Sequence, residues 1–117
     1  MILFMNTIRV KNGTGDVLAK RFQNPKGVQS FPGFVRMEVL KTEGTEDYEE
    51  FKVCTTWESK GDFDKWVHSD AFKQSHAKNR ELNSDILGNQ LTMHEIVVSR
   101  DPDPNVRKHV ESTPLNP

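Results

Sequence analysis

Asn6, Trp66 and His76 are the residues of this sequence whose types and surroundings could support chemistry. His76 follows Phe72 by four residues, so the two share one face of a predicted helix, where a neutral imidazole could ligate iron. Asn6 falls on the apolar side of a predicted strand, where a buried amide without a partner costs about 1–3 kcal/mol unless a ligand uses it. Taken singly, a helical histidine, a strand amide and a tryptophan beside apolar neighbours are more often structural than functional.

The spacing of apolar residues predicts the elements that would position these side chains. Alternation with a period of two predicts strands, and apolar residues three or four positions apart predict helices. We expect strands over residues 2–10, 34–41, 48–57 and 90–100, and helices over residues 16–23, 62–68 and 71–79. In one continuous helix Trp66 and His76 would lie roughly 80° apart around the axis. A break at Ser69-Asp70 would let both side chains approach one pocket.

The order of these elements, β-α-β-β-α-α-β, predicts an α+β fold with a ferredoxin-like antiparallel sheet and its helices on one face. The other face would be bare in a monomer, so we expect a second copy to cover it and form a homodimer. We expect this bare face to carry Val35, Met37, Val39, Phe51, Val53 and Thr55. Residues 1–100 should form one domain, and residues 101–117, which hold four of the six prolines, a flexible tail.

The composition of the chain argues against several classes of protein. With 16 basic and 17 acidic residues the formal charge is -1, which disfavours binding to nucleic acid or to an anionic membrane. Residues 1–5 are too short for a signal sequence and no segment approaches a membrane span, so we expect a cytoplasmic protein. The sequence contains no GxGxxG, GxxxxGK[ST], GxSxG, HExxH or CxxC motif, which disfavours nucleotide, serine-hydrolase and zinc sites.

A combination of motifs resembles one protein family. The sequence joins Asn6 in the first strand to Trp57-x-Ser59 and then to the pattern F-x-x-W-x-x-S-x-x-F-x-x-x-H over residues 63–76. A Pro32-Gly33-Phe34 turn precedes the second strand. Over about residues 1–100 the chain resembles the IsdG-type haem-degrading monooxygenases, which belong to the antibiotic biosynthesis monooxygenase-like superfamily.

This resemblance implies a dimeric α+β barrel that binds one haem per subunit between helices and sheet. It implies that His76 is the iron ligand, that Asn6 donates a hydrogen bond to bound oxygen, and that Trp66 presses on the porphyrin. Haem would be both cofactor and substrate, opened with dioxygen and electrons from a reductase or a small-molecule reductant, with release of iron. We expect the cavity to be lined by Phe22, Val28, Phe31, Val53, Phe63 and Phe72.

Two other functions remain open on the sequence. A cofactor-independent monooxygenase of the antibiotic-biosynthesis type could oxidise a phenol or quinol in the same cavity, and failure to bind haem would favour it. A haem-binding carrier would use His76 without turnover. Lys78 and Arg80 are candidates to pair with the haem propionates.

Overall fold

A computed structural model describes residues 1–23, 27–77 and 85–105 of the chain, with the backbone alone described at residues 75–77. The elements are β1 (Ile2–Lys11), α1 (Gly15–Gln23), a 3-10 turn (Val28–Ser30), β2 (Phe34–Lys41), β3 (Tyr48–Trp57), α2 (Lys60–Val67), α3 (Asp70–Ala77) and β4 (Ile86–Glu95). The predicted order of strands and helices is therefore confirmed.

The four strands form one antiparallel sheet in the order β2-β3-β1-β4. The central strand β1 is hydrogen-bonded on both sides, and its residue Asn6 pairs with Val53 of β3 and with Leu91 of β4. This topology confirms the predicted α+β ferredoxin-like fold. It also places Asn6 at the middle of the sheet.

The even-numbered residues of β1 face the helices, and they contribute to two groups of packed side chains. The first group, here the α1 cluster, consists of Ile8, Val10, Leu18 and Phe51, with Ala19, Phe22, Val39, Val53 and Ile86 packed against it. The second group, here the aromatic cluster, consists of Phe4, Val28 and Trp57, with Ile2, Phe31, Phe34, Met37, Phe63 and Trp66 packed against it. Helix α1 covers one end of the sheet and α2 covers the other.

The strand residues that we expected on the bare face lie mostly on the other side. The register places Met37, Val39, Phe51, Val53 and Thr55 on the helix-covered face, together with Asn6. Alternation shows which residues share a face, but it does not show which face the helices cover. The opposite face carries Leu3, Met5, Cys54, Thr56, Thr92 and His94. No helix in the described ranges packs on that opposite face.

The predicted bounds of the last strand were wrong at both ends. Strand β4 begins at Ile86 rather than at residue 90, because pairing with β1 outweighs the low strand propensity of Gly88 and Asn89. A register shift between Arg9 and Val10 accommodates this first part of β4. The strand ends at Glu95, and the N–H of Ile96 donates to the carbonyl of Met1 at 3.1 Å.

The C-terminal segment is described only in part. Residues 97–105 are exposed, while residues 106–117 lie outside the described residues, as do Lys78 and Arg80. None of the described helices is long and apolar enough to cross a membrane.

Candidate functional site

Asn6 has an unsatisfied polar atom at the centre of the helix-covered face. Its Oδ1 is buried and has no hydrogen-bond partner among the described residues. Along β1 it stands between Phe4 of the aromatic cluster and Ile8 of the α1 cluster. A buried amide oxygen left unpaired destabilises the fold by about 1–3 kcal/mol. The described part of the fold therefore leaves this amide oxygen without a hydrogen bond.

Beside Asn6 the same face of the sheet is open and apolar. Leu91 and Met93 of β4 pair with Asn6 and Phe4 of β1, and each of the two β4 residues is 55% exposed. Neither side chain joins either packed cluster. An apolar surface with a convergent polar group is the usual form of a small-molecule site.

Trp66 is held at the edge of the aromatic cluster by two other rings. Its ring lies edge-to-face with Phe31, at a centroid distance of 5.4 Å, and with Phe72, at 5.7 Å. Such ring pairs contribute about 0.5–1.5 kcal/mol each beyond the area they bury. The Trp66 side chain is half-buried, so it combines a fixed orientation with an accessible edge.

The chain breaks between α2 and α3 where the sequence predicted. The Oγ of Ser69 donates to the carbonyl of Trp66 at 2.6 Å and accepts from the N–H of Phe72 at 3.2 Å. The hydroxyl thus satisfies groups at the end of one helix and at the start of the next. This break lets Phe72 fold back against Trp66.

The loop before β2 is fastened to the start of α2. Gly33 adopts a φ of 84°, which favours glycine, and its carbonyl accepts from the N–H of Glu58 at 2.8 Å. The Ser59 hydroxyl caps α2 by accepting from the N–H of Asp62 at 3.2 Å. These contacts fix the loop that carries Phe31 against Trp66.

A second concave region lies between α1 and the β2–β3 side of the sheet. It is a cavity of about 470 Å³ lined by Asp16, Ala19, Phe22, Gln23, Met37, Val39, Lys41 and Phe51. Phe22, which the sequence placed in the ligand cavity, forms part of its wall. The other lining residues were not predicted, because α1 and β2 meet only in the folded chain.

Glu49 fixes the start of α1. Its Oε2 accepts from the N–H of Gly15 at 2.8 Å and from the N–H of Gly13 at 3.1 Å, and Lys41 Nζ lies 3.2 Å from Oε1. The hydrogen bond from Gly15 is the main reason that the pKa of Glu49 is lowered. The hydroxyl of Thr14, which directly precedes α1, donates to the Lys11 carbonyl.

The structure brings most of the predicted site residues to one side of the sheet. Phe22 and Val53 pack against the α1 cluster, while Val28, Phe31, Phe63 and Trp66 belong to the aromatic cluster. Asn6 lies between the two sets. His76 is part of α3, and its side chain lies outside the described residues.

Trp57 was not predicted as an unusual residue. Its side chain is 0% exposed, and Nε1 has no hydrogen-bond partner in the described part of the chain. Phe31, Phe34 and Phe63 surround it edge-to-face at centroid distances of 6.4, 5.5 and 6.0 Å. The end of an alternating strand gives no sign of this enclosure.

Comparison with known proteins identifies relatives of this chain. A model of the antibiotic biosynthesis monooxygenase family matches residues 1–78. A protein of Halalkalibacterium halodurans named heme-degrading monooxygenase is 39% identical over 102 residues, covering 87% of each chain. One of the same name from Bacillus thuringiensis is 38% identical over 102 residues, covering 87% of this chain and 95% of the relative. Among solved structures, this chain resembles the heme degrader MhuD from Mycobacterium tuberculosis, which was solved with two hemes bound in its active site. The two sequences are 30% identical, the TM-score is 0.68, and the match covers 86% of this chain and 100% of that chain.

Proposed function

The chain belongs to the antibiotic biosynthesis monooxygenase family, and we propose that within this family it is a haem-degrading monooxygenase. Haem would be bound as substrate and cofactor, its ring opened with dioxygen and electrons, and its iron released. The observation that carries this proposal is the Asn6 amide, whose buried Oδ1 has no partner in the described residues, beside an open apolar surface. The names of relatives that are 38–39% identical over most of the chain support it.

The residues on the helix-covered face fit a haem group. Haem presents a broad apolar disc, and Leu91 and Met93 offer exposed apolar surface next to Asn6. The ring of Trp66 stands on the α2 side of the same face, and Phe22 on the α1 side. This exposed apolar surface beside a polar group has suitable chemistry for a flat apolar ligand.

In the proposed mechanism each of three residues has its own task. The His76 imidazole would hold the haem iron, and the NH2 of the Asn6 amide would donate a hydrogen bond to dioxygen. Trp66, whose orientation is fixed by ring contacts with Phe31 and Phe72, would press on the porphyrin. When bound, haem supplies the iron that reduces dioxygen and the carbon that is oxidised. The surrounding apolar side chains would shield part of the bound haem from water.

We further propose that the active form is a homodimer. The sheet face that carries Leu3, Met5 and Cys54 lacks a covering helix in the described residues, and a second copy packed sheet to sheet would cover it. The remaining parts of the proposal are an external reductant, a cytoplasmic location, a catalytic domain over residues 1–100 and a separate C-terminal tail over residues 101–117.

The test is a haemin titration of the purified protein followed by absorbance spectroscopy. Ascorbate is then added in air with catalase present, so that free peroxide cannot destroy the haem. Stoichiometric binding followed by loss of the Soret band is the expected result. Binding without loss of the band would instead identify a haem carrier, and absence of binding would favour a cofactor-independent monooxygenase.

The His76→Ala variant tests the proposed iron ligand. We expect it to lose tight haem ligation, whereas His68→Ala should bind haem as the parent does. His68 is a suitable control because it is an exposed histidine at the end of the preceding helix, where its ring contacts the carbonyl of Asp64. Equal haem spectra in the two variants would rule out His76 as the ligand.

A further inference from the structure

Ser69 joins α2 to α3 through all of its polar groups. Its N–H donates to the carbonyl of Trp66 at 3.0 Å, and its carbonyl accepts from the N–H of Lys73 at 3.2 Å. Its hydroxyl donates to the same Trp66 carbonyl at 2.6 Å and accepts from the N–H of Phe72 at 3.2 Å. One half-buried residue is therefore bonded to the last turn of one helix and to the first turn of the next.

The two hydrogen bonds of the Ser69 hydroxyl serve different purposes. An oxygen that accepts from the backbone N–H three residues later is an ordinary N-cap, and it stabilises the start of α3. The bond donated to the Trp66 carbonyl is not part of that cap, because it runs back to the end of α2. It instead fixes the direction in which α3 leaves α2. Serine and threonine can make both bonds, whereas an aspartate carboxylate, which is an equally good cap, can only accept.

The two residues that this hydroxyl joins through their backbones also meet through their side chains. The rings of Trp66 and Phe72 lie edge-to-face, with a centroid distance of 5.7 Å and an interplanar angle of 82°. Phe31 contacts the Trp66 ring from the loop before β2, at 5.4 Å. A rotation of α3 about Ser69 would therefore separate Trp66 from Phe72 and leave Trp66 against Phe31. The same rotation would displace His76, which belongs to α3.

We propose that Ser69 is a positioning residue for haem degradation, whose hydroxyl holds α3 at the angle at which Trp66 and His76 act on one haem. The inference rests on the proposed function, but it requires no contact between Ser69 and haem. Trp66 lies on α2 and His76 on α3, so the distance between them depends on the angle between the two helices. Misplacement of reacting groups by about 1 Å can slow an enzyme on the order of a hundredfold. A cap without this role would affect folding stability alone.

Substitutions at Ser69 can remove the donated bond without removing the cap. Ser69→Asp keeps an oxygen that accepts from the N–H of Phe72, but its carboxylate has no proton to donate to the Trp66 carbonyl at neutral pH. Ser69→Gly also lacks the donor, adds no charge and is tolerated at an N-cap. Ser69→Thr keeps both bonds. All three variants should fold, with Tm values within about 5 °C of the parent, because these residue types differ little as N-caps.

The first experiment measures the quenching of tryptophan fluorescence by acrylamide in the apoprotein. Of the two tryptophans Trp57 is 0% exposed, so the quencher reaches only the half-buried Trp66. The quenching constant should rise in Ser69→Asp and Ser69→Gly, because the Trp66 ring loses its contact with Phe72. It should stay at the parental value in Ser69→Thr. A parental constant in both Ser69→Asp and Ser69→Gly would overturn the proposal.

His68→Asp is the matched control for the charge that Ser69→Asp introduces. It places the same carboxylate one residue earlier, on an exposed side chain that makes no bond to Phe72. Its quenching constant and its rate of haem degradation should both equal those of the parent. Losses in His68→Asp as large as those in Ser69→Asp would overturn the proposal, because the added charge would then be their cause.

The second experiment follows the loss of the Soret band in the haem-loaded protein after addition of ascorbate. The rate should fall by about tenfold to a hundredfold in Ser69→Asp and Ser69→Gly, and Ser69→Thr should retain the parental rate. Parental rates in Ser69→Asp and Ser69→Gly would overturn the proposal and leave the proposed function intact. A parent protein that binds no haem, or that leaves the Soret band unchanged, would instead refute the proposed function, and the role of Ser69 would fall with it.

Discussion

Replacing Asn6 by leucine tests separately what the Asn6 amide contributes to folding stability and to haem degradation. Leucine is close in size to asparagine, and it removes the buried Oδ1 that has no partner in the described structure. Relief of an unpaired buried acceptor is worth about 1–3 kcal/mol, and imperfect packing of the new side chain costs less than about 1.5 kcal/mol. We therefore expect the apoprotein to gain about 1 kcal/mol in its free energy of unfolding, which raises Tm by about 4–8 °C.

The assay is urea unfolding of the apoprotein, followed by circular dichroism, with Asn89→Leu as the matched control. Asn89 lies on the same sheet face, opposite Ile8, but its side chain is exposed, so the same substitution there should change stability by less than about 0.5 kcal/mol. Haem binding to Asn6→Leu should persist, while the rate of Soret loss should fall on the order of a hundredfold, as when one hydrogen-bond donor to a reacting oxygen is removed.

Either of two results would refute this reasoning about Asn6. An Asn6→Leu apoprotein that is less stable than the parent would mean that the fold depends on the amide. A variant that degrades haem at the parental rate would mean that the amide is not the oxygen donor.

Three further predictions concern stability and reactivity. The hydrogen bond from the N–H of Gly15 lowers the pKa of Glu49, so its carboxylate stabilises the fold above about pH 4.5, and this contribution is lost as the pH falls further. The Glu49→Gln variant should therefore lose less stability than the parent between pH 5 and pH 3, as measured by urea unfolding. This pH range is set by the usual glutamate pKa. Burial raises the pKa of the Cys54 thiol, so a disulfide reagent should react with it slowly until urea unfolds the protein. Trp57→Ala should lower the free energy of unfolding by about 3–5 kcal/mol in the same denaturation assay.

The strands were predictable where apolar and polar side chains alternate along the sequence. The bounds of β2 and β3 follow directly from runs such as Phe34–Lys41 and Tyr48–Trp57. The first residues of β4 were missed because Gly88 and Asn89 have low strand propensity, and only pairing with β1 makes them extended. The side of the sheet that faces the helices was also missed, since that choice depends on how α1 and α2 return to the sheet.

The parts of the site that depend on one residue type in one local pattern were predictable. Asn6 stands out as an amide in an apolar strand, and Ser69 as a cap between two helical runs. The role of Glu49 could not be predicted, because it contacts Gly13 and Gly15 more than thirty positions away along the chain. Contacts of that range are set by the register of β1 against β3, which the sequence does not display.

Two buried polar atoms in the described residues lack partners, and their surroundings distinguish them. Trp57 Nε1 belongs to a side chain that is 0% exposed and enclosed by three aromatic rings, so no ligand can reach it without unpacking the core. Asn6 lies next to Leu91 and close to Met93, whose side chains remain more than half exposed. Of these two groups, only the Asn6 amide is therefore placed where a ligand could contact it. A ligand that covers the exposed β4 residues would also contact the Asn6 amide. Binding would then bury apolar surface and engage the hydrogen-bonding group at the same time.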